Sequence, residues 1–141
     1  MSENNAAVIQ AAIRYYAGCL KQKIKMRDPV PIGLALRIHF PKLRAAIEIS
    51  GSDENRHREL LKNEFCRKYG IDLIRILGPK DQPYQSGSCI SIQLMDYSEE
   101  TVEAAVSSIF ELLGFHPDVN LSRDRNGIGG FLKEDVEETL Y

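Results

Sequence analysis

The chain's apolar residues first recur at threes and fours. Ala6, Ile9, Ile13, Tyr16 and Leu20 form one stripe, which predicts a helix over 5–21. The next segment, KQKIKMRDPVPIG at 21–33, is basic and ends in two prolines, so it reads as a connection. LALRIHF at 34–40 alternates in its first half and predicts a strand. Pro41 and Lys42 make a tight turn, because proline lacks the N–H that a central ladder needs. LRAAIEI at 43–49 is then the partner strand of a hairpin.

Ser52 or Asp53 can cap a second helix, whose core face would be Leu60, Leu61, Phe65 and Tyr69, with Gly70 as its stop. IDLIRIL at 71–77 is rich in β-branched residues and predicts a strand. GPKDQPYQSGS is a loop by composition, and CISIQLM at 89–95 is another strand. Asp96 or Ser98 caps a third helix that turns Val102, Ala105, Val106, Ile109, Phe110 and Leu113 to the core, and Gly114 ends it. DVNLSRDRNGIGGFL suggests a last strand and a glycine-rich turn, with an acidic tail at 131–141 in which KEDVEETLY could form a short helix. The order α-β-β-α-β-β-α-β implies an α/β fold, a mixed sheet flanked by helices, in a single domain with a core over about 5–125.

At 141 residues the chain is long enough to bury a real core, and 43% hydrophobic with 27% charged residues is ordinary for a globular protein. No run approaches the ~18 apolar residues of a membrane span. The opening MSENNAAVIQ lacks the basic-then-apolar layout of a signal peptide, so the expected location is the cytoplasm, with no membrane partner. Cys19, Cys66 and Cys89 lie far apart without a CxxC pair. That spacing argues against a zinc site and a disulfide framework, and each reads as a small buried apolar residue.

Charge changes this picture. The net charge of −2 divides into +7 over residues 1–80 and −9 over residues 81–141. A basic half attracts DNA or RNA, whose phosphates supply most non-specific binding energy. The two halves could instead pair within the fold or across a homodimer, and a pI near 5.9 leans that way. Lys21, Lys23, Lys25, Arg27, Lys42, Arg44, Arg56 and Arg58 are the candidates for phosphate contact, clustered around the hairpin and its flanks. Tyr15, Tyr16 and Tyr84 could stack on bases, although such tyrosines are more often packing residues. There is no GxxxxGK[ST] phosphate loop, and NGIGG is too short and misplaced for a dinucleotide fingerprint.

RELLKNEFCRKYGIDLIRI at 58–76 resembles the helix-and-strand segment of restriction-endonuclease-like proteins, the PD-(D/E)xK superfamily. More narrowly it is similar to small members related to very-short-patch-repair endonucleases and phage-borne nuclease domains. Arg58, Glu59, Lys62, Asn63, Glu64, Phe65 and Cys66 follow a pattern R-D-x-x-K-N-E-Y-C, with Glu59 in place of the aspartate. FPKLRAAIEISG resembles a hairpin I-P-x-L-x-x-x-I-E-x-D-G, QAAIRYY an opening helix E-Q-A-I-x-Y-Y, and VNLSRDR a late strand. The resemblance spans roughly residues 8–125.

In such nucleases a helix glutamate, a hairpin aspartate and an E-x-D or E-x-K pair gather Mg²⁺ or Mn²⁺, which lowers the pKa of a water and neutralises phosphate charge. Here Gln10 stands for the helix glutamate, Arg37 for the hairpin aspartate and Ser50 for the second position of E-x-D. Glu48 alone remains. Arg37 would put a fixed positive charge where a dication should sit. It could pair with Glu48, an attraction of about 4 kcal/mol at ~4 Å and an effective dielectric near 20, before desolvation. Arg37 joins the nucleic-acid-binding candidates on the same basis.

The resemblance therefore implies a degenerate nuclease, a pseudo-nuclease that binds nucleic acid or a protein partner and needs no cofactor. The alternative is a rearranged Mg²⁺- or Mn²⁺-dependent endonuclease, with Glu48, His57 and Lys62 catalytic and Glu48 and Asp53 on the metal. A third reading is a self-assembling module in which the basic half of one copy meets the acidic half of another.

Overall fold

A computed structural model describes residues 1–31, 33–50, 56–85 and 87–140, with side chains through Asp135. The order is α1 (Glu3–Cys19), β1 (Lys25–Val30), β2 (Leu34–Phe40), a 3₁₀ turn (Pro41–Leu43), β3 (Ala45–Ile49), α2 (Arg56–Lys68), β4 (Asp72–Leu77), β5 (Ile90–Gln93), α3 (Glu99–Leu112) and α4 (Arg125–Leu140). The strands form one mixed α/β sheet in the order β1-β2-β3-β4-β5. β1, β2 and β3 are antiparallel neighbours, and β4 and β5 continue the sheet parallel to β3.

Alternation along the central strands divides the sheet into two faces. Ile47 and Ile49 of β3 and Ile74 and Ile76 of β4 join the main core with Ile9 and Ile13 of α1 and Val106, Ile109 and Phe110 of α3. The alternate residues Ala46 and Leu73 join Leu36 and Cys66 in a smaller cluster under α2. Ser2 Oγ accepts from Asn5 N–H at 3.2 Å and Ser98 Oγ from Thr101 N–H at 3.3 Å, so α1 and α3 each open on a serine cap. No helix among the described residues is long and apolar enough to cross a membrane.

Several expectations are corrected. The basic segment taken as a connection contains β1, an edge strand, where Pro29 is tolerated because the outer side needs no ladder bond. No strand forms after α3 among the described residues; residues 121–124 are turn. The expected glycine-rich turn is helical instead, and with the acidic end, which could form a short helix, it makes one longer helix, α4, packed on α1. A Cβ at Gly127 would overlap the Tyr15 ring, so this glycine permits close helix contact rather than a turn. The core therefore extends past residue 125, through Ile128. Finally, Leu60 and Leu61 of α2 and Tyr69 just after it are exposed, and the helix buries Glu59, Lys62, Asn63 and Cys66. Of the cysteines only Cys66 is buried, while Cys19 is exposed and Cys89 is half-buried.

Candidate functional site

The inward polar face of α2 follows from what lies beneath it. β3 and β4 carry Glu48 and Arg75 in register on the side that α2 covers. Both are nearly fully buried, at 3% and 2% exposure. A buried charge needs a partner, so α2 turns its polar residues inward to supply one.

Lys62 Nζ donates to Glu48 Oε1 at 2.8 Å, with Lys62 itself buried. Glu48 Oε2 accepts the Arg37 backbone N–H at 2.6 Å. The β2–β3 ladder runs from Phe40↔Ala45 to Ile38↔Ile47, and the Arg37 amide beyond it turns to the carboxylate. Arg75 Nε donates to Asn63 Oδ1 and its Nη2 to the Glu59 carbonyl, both at 2.8 Å. The Glu59 carboxylate accepts Tyr84 O–H and has Arg56 Nη1 at 3.8 Å. Arg56 lies over the Tyr84 ring at 3.8 Å, and Arg75 lies 5.1 Å from its centroid. Burial, then the hydrogen bond to Glu59, pushes the Tyr84 hydroxyl well above its ordinary value. Burial, followed by the Glu48 charge, pushes the Cys66 thiol up to about 11.

Arg37 does not direct its guanidinium at Glu48, as its charge suggested. Its Nε donates to Gln10 Oε1 at 2.5 Å and its Nη1 to the Ile49 carbonyl at 3.4 Å. Gln10 Nε2 continues to Asp135 at 3.1 Å, and Asp135 pairs with Arg14. One polar network thus links α4, α1 and β2, and through the Arg37 amide reaches Glu48 and α2.

Ser50 lies at the end of β3, beside a cavity of about 170 Å³ also lined by Arg56, Glu59, Asp81 and Tyr84. The Ser50 hydroxyl donates to Asp81, which also accepts Gly78 N–H and faces the N-terminal ammonium at 3.4 Å. Burial alone would raise the Asp81 carboxyl. These donors, Ser50 first, hold it below its ordinary value instead.

A hard dication needs several free oxygen ligands. Both Glu48 oxygens are engaged, Gln10 Oε1 faces Arg37, Ser50 is bonded to Asp81, and a guanidinium stands at the hairpin position. Among the described residues no three His, Cys, Asp or Glu side chains gather as a metal-binding group. The described residues by themselves do not fit Mg²⁺ or Mn²⁺. Asp53 lies outside the described residues. His57 is exposed in the first turn of α2.

The remaining candidates divide. Arg56 and Arg58 sit at the start of α2, the first half-buried and the second exposed. Lys21, Lys23, Lys25, Arg27, Lys42 and Arg44 are exposed around the β1 edge and the closed end of the β2–β3 hairpin. Tyr16 is buried, and both Tyr15 and Tyr16 donate to Asp124, so they are packing residues. Sequence reasoning missed Asn63, Arg75, Asp81 and Asp135 as site residues. The signal for Arg75 was present: like Glu48, it is a lone charge inside an apolar strand.

Compared with protein-family models, with curated proteins and with solved structures, the chain matches none.

Proposed function

We propose that this chain is a catalytically degenerate, restriction-endonuclease-like domain of the cytoplasm that binds DNA or RNA without metal-dependent cleavage. The observation that carries this reading is the state of Glu48. Both its oxygens are taken up by Lys62 and the Arg37 amide, at 2.8 and 2.6 Å. Of the three positions at which the resemblance places further acids, Gln10 and Arg37 bond to each other, and Ser50 bonds to Asp81. On the resemblance, a glutamine and an arginine stand where two carboxylates would need a dication between them, and Glu48 is paired without metal. The basic surface supplies the binding half of the reading through phosphate contact.

The test is calorimetric titration of Mn²⁺ into the wild type and into Gln10→Glu/Arg37→Asp, beside cleavage assays on single- and double-stranded substrates. The wild type is expected to give no binding heat and no cleavage, while the double variant takes up metal. Metal uptake by the wild type that Glu48→Gln abolishes, or metal-dependent cleavage, overturns the reading in favour of an active endonuclease.

A further inference from the structure

Among the described residues, three that are not glycine adopt positive φ: Lys21 at 56°, Arg27 at 50° and Arg44 at 50°. This backbone region suits glycine, and then asparagine, because a Cβ crowds the following carbonyl. In this chain a long cation takes each of the three positions. All three are exposed. Lys21 closes α1 with its N–H on the Gly18 carbonyl at 3.0 Å, where glycine is the common solution. Arg44 does the same for the 3₁₀ turn, on the Pro41 carbonyl at 3.3 Å. Arg27 lies within an edge strand. A favourable helix dipole accounts for a cation at Lys21 but not at Arg27.

Two of the three share a surface with further lysines. Lys21, Lys23 and Lys25 are exposed and alternate with half-buried residues, of which Ile24 and Met26 pack on the main core, so Lys23 and Lys25 form a row that faces away from it. Arg27 stands where this alternation breaks, because Met26 packs on the main core but Val30 on the smaller cluster, so it lies at the edge of the row. Lys25 is opposite His39, and Phe40 opposite Ala45, so Lys42 and Arg44 lie at the sheet end from which the row starts. None of these six cations has an ion-pair partner among the described residues, whereas Arg14, Arg56, Lys62, Arg67 and Arg123 do. Asp28, which pairs with His39 at 2.7 Å, and the exposed Asp72, opposite Ala45, trim the local charge without reversing it.

An aromatic platform adjoins the row. The Arg44 guanidinium lies beside Gly70, and the preceding Tyr69 is 57% exposed. Tyr69 packs on Phe65 with centroids 4.7 Å apart and has Lys68 Nζ 5.7 Å above its ring.

We infer that Lys21, Lys23 and Lys25, with Lys42 and Arg44 beside them and Arg27 at their edge, are a binding track for the sugar–phosphate backbone of a single-stranded nucleic acid, with Tyr69 stacking a base at its end. The inference rests on the nucleic-acid reading above and moves the contact away from Glu48 to the opposite end of β3. Exposed cations at one sheet end beside an exposed ring suit one flexible strand, because stacking tolerates any base. A duplex would call for an element shaped to enter a groove.

The test uses Lys21→Gly, Arg27→Gly and Arg44→Gly, singly and together, with Tyr69→Ala and the cleft variant Gln10→Glu/Arg37→Asp. Binding to labelled oligothymidylate, oligouridylate and a duplex is read by fluorescence anisotropy across salt concentrations, and melting is followed in parallel. The glycine variants are expected to melt at or above the wild-type temperature, because the backbone region favours glycine. Each is also expected to bind single strands several-fold more weakly, with the salt slope reduced by about 0.7 per cation removed. Tyr69→Ala weakens binding without changing that slope. The two single-stranded probes separate RNA from DNA as the source of the same chemistry. Glycine variants that bind like wild type while the cleft variant does not overturn the track alone, as does a preference for the duplex or equal binding of anionic vesicles. A wild type that binds no oligonucleotide overturns the track and the nucleic-acid reading together.

Discussion

Arg37 Nε donates to Gln10 Oε1 at 2.5 Å, joining β2 to α1 at the edge of the buried polar centre. The bond explains how a guanidinium lies next to Glu48 without taking its carboxylate. Arg37 spends its side chain on Gln10 and the Ile49 carbonyl, and only its backbone N–H on Glu48. Lys62 is therefore the cation that neutralises Glu48, from the opposite side of the sheet. The two halves of the centre meet at a single residue, one through its amide and one through its side chain.

Lys62 is consequently the residue whose loss exposes this arrangement most directly. Lys62→Met leaves the Glu48 carboxylate buried with a single neutral donor, the Arg37 amide. Breaking a buried pair in this way costs about 3–5 kcal/mol. The double variant Glu48→Leu/Lys62→Met removes both charges and keeps the volume, and is expected to recover most of that loss. Urea unfolding of the two variants measures the difference. A Lys62→Met protein as stable as wild type would mean that Glu48 is not held as described.

Acid stability should depend on Asp124, the residue before α4. It accepts from Arg123 Nη2 at 2.8 Å and from Tyr16 O–H at 2.6 Å, which ties α1 to the start of α4. Hydrogen bonds from Arg123 first, then Tyr16, hold its carboxyl at about 2 against an ordinary 3.8, with burial opposing them. A folded pKa below the unfolded one means that the unfolded chain binds more protons. The contribution is complete above 3.8 and is lost as pH falls toward about 2. Asp124→Asn should flatten that acid limb of the stability curve. An unchanged slope between pH 5 and 2, followed by circular dichroism in urea, would contradict the assignment, the window being about that expected for a depressed carboxyl.

How far the sequence foretold the structure can be traced element by element. Helices α1, α3 and the hairpin β2–β3 were legible because their apolar periodicity and their stop signals agree. α2 was legible as a helix but not in its rotation. Leu60, Leu61 and Tyr69 look like a core face, yet they point outward because Glu48 and Arg75 must be satisfied from above. No local pattern announces that demand; it arises only when β3 and β4 pair in register. β1 was hidden by its cations, since an edge strand can turn every second residue to water and then reads as a polar linker. Glu48 was legible as a lone carboxylate on an apolar strand, and Asp135 was not, because it reaches Gln10 across 125 residues of chain.

The last helix gives a paired test of why it was misread. Gly127 and Gly129 lie two residues apart in α4, and both count against a helix by propensity. Their surroundings differ. A Cβ at Gly127 would meet the Tyr15 ring, whereas a Cβ at Gly129 would meet nothing within 4 Å. Tyr15 is itself packed edge-on to Tyr16 with centroids 5.0 Å apart, so the ring cannot yield without disturbing the core residue beside it. Gly127→Ala is therefore expected to destabilise the protein by about 1–3 kcal/mol through overpacking. Gly129→Ala should stabilise it by about 0.5–1 kcal/mol through reduced freedom of the unfolded chain and better helix propensity. Thermal melts of the two single variants read opposite shifts if the glycine at 127 serves close helix contact. Stabilisation in both would show that Tyr15 does not rest on α4, and that the glycines have no packing role.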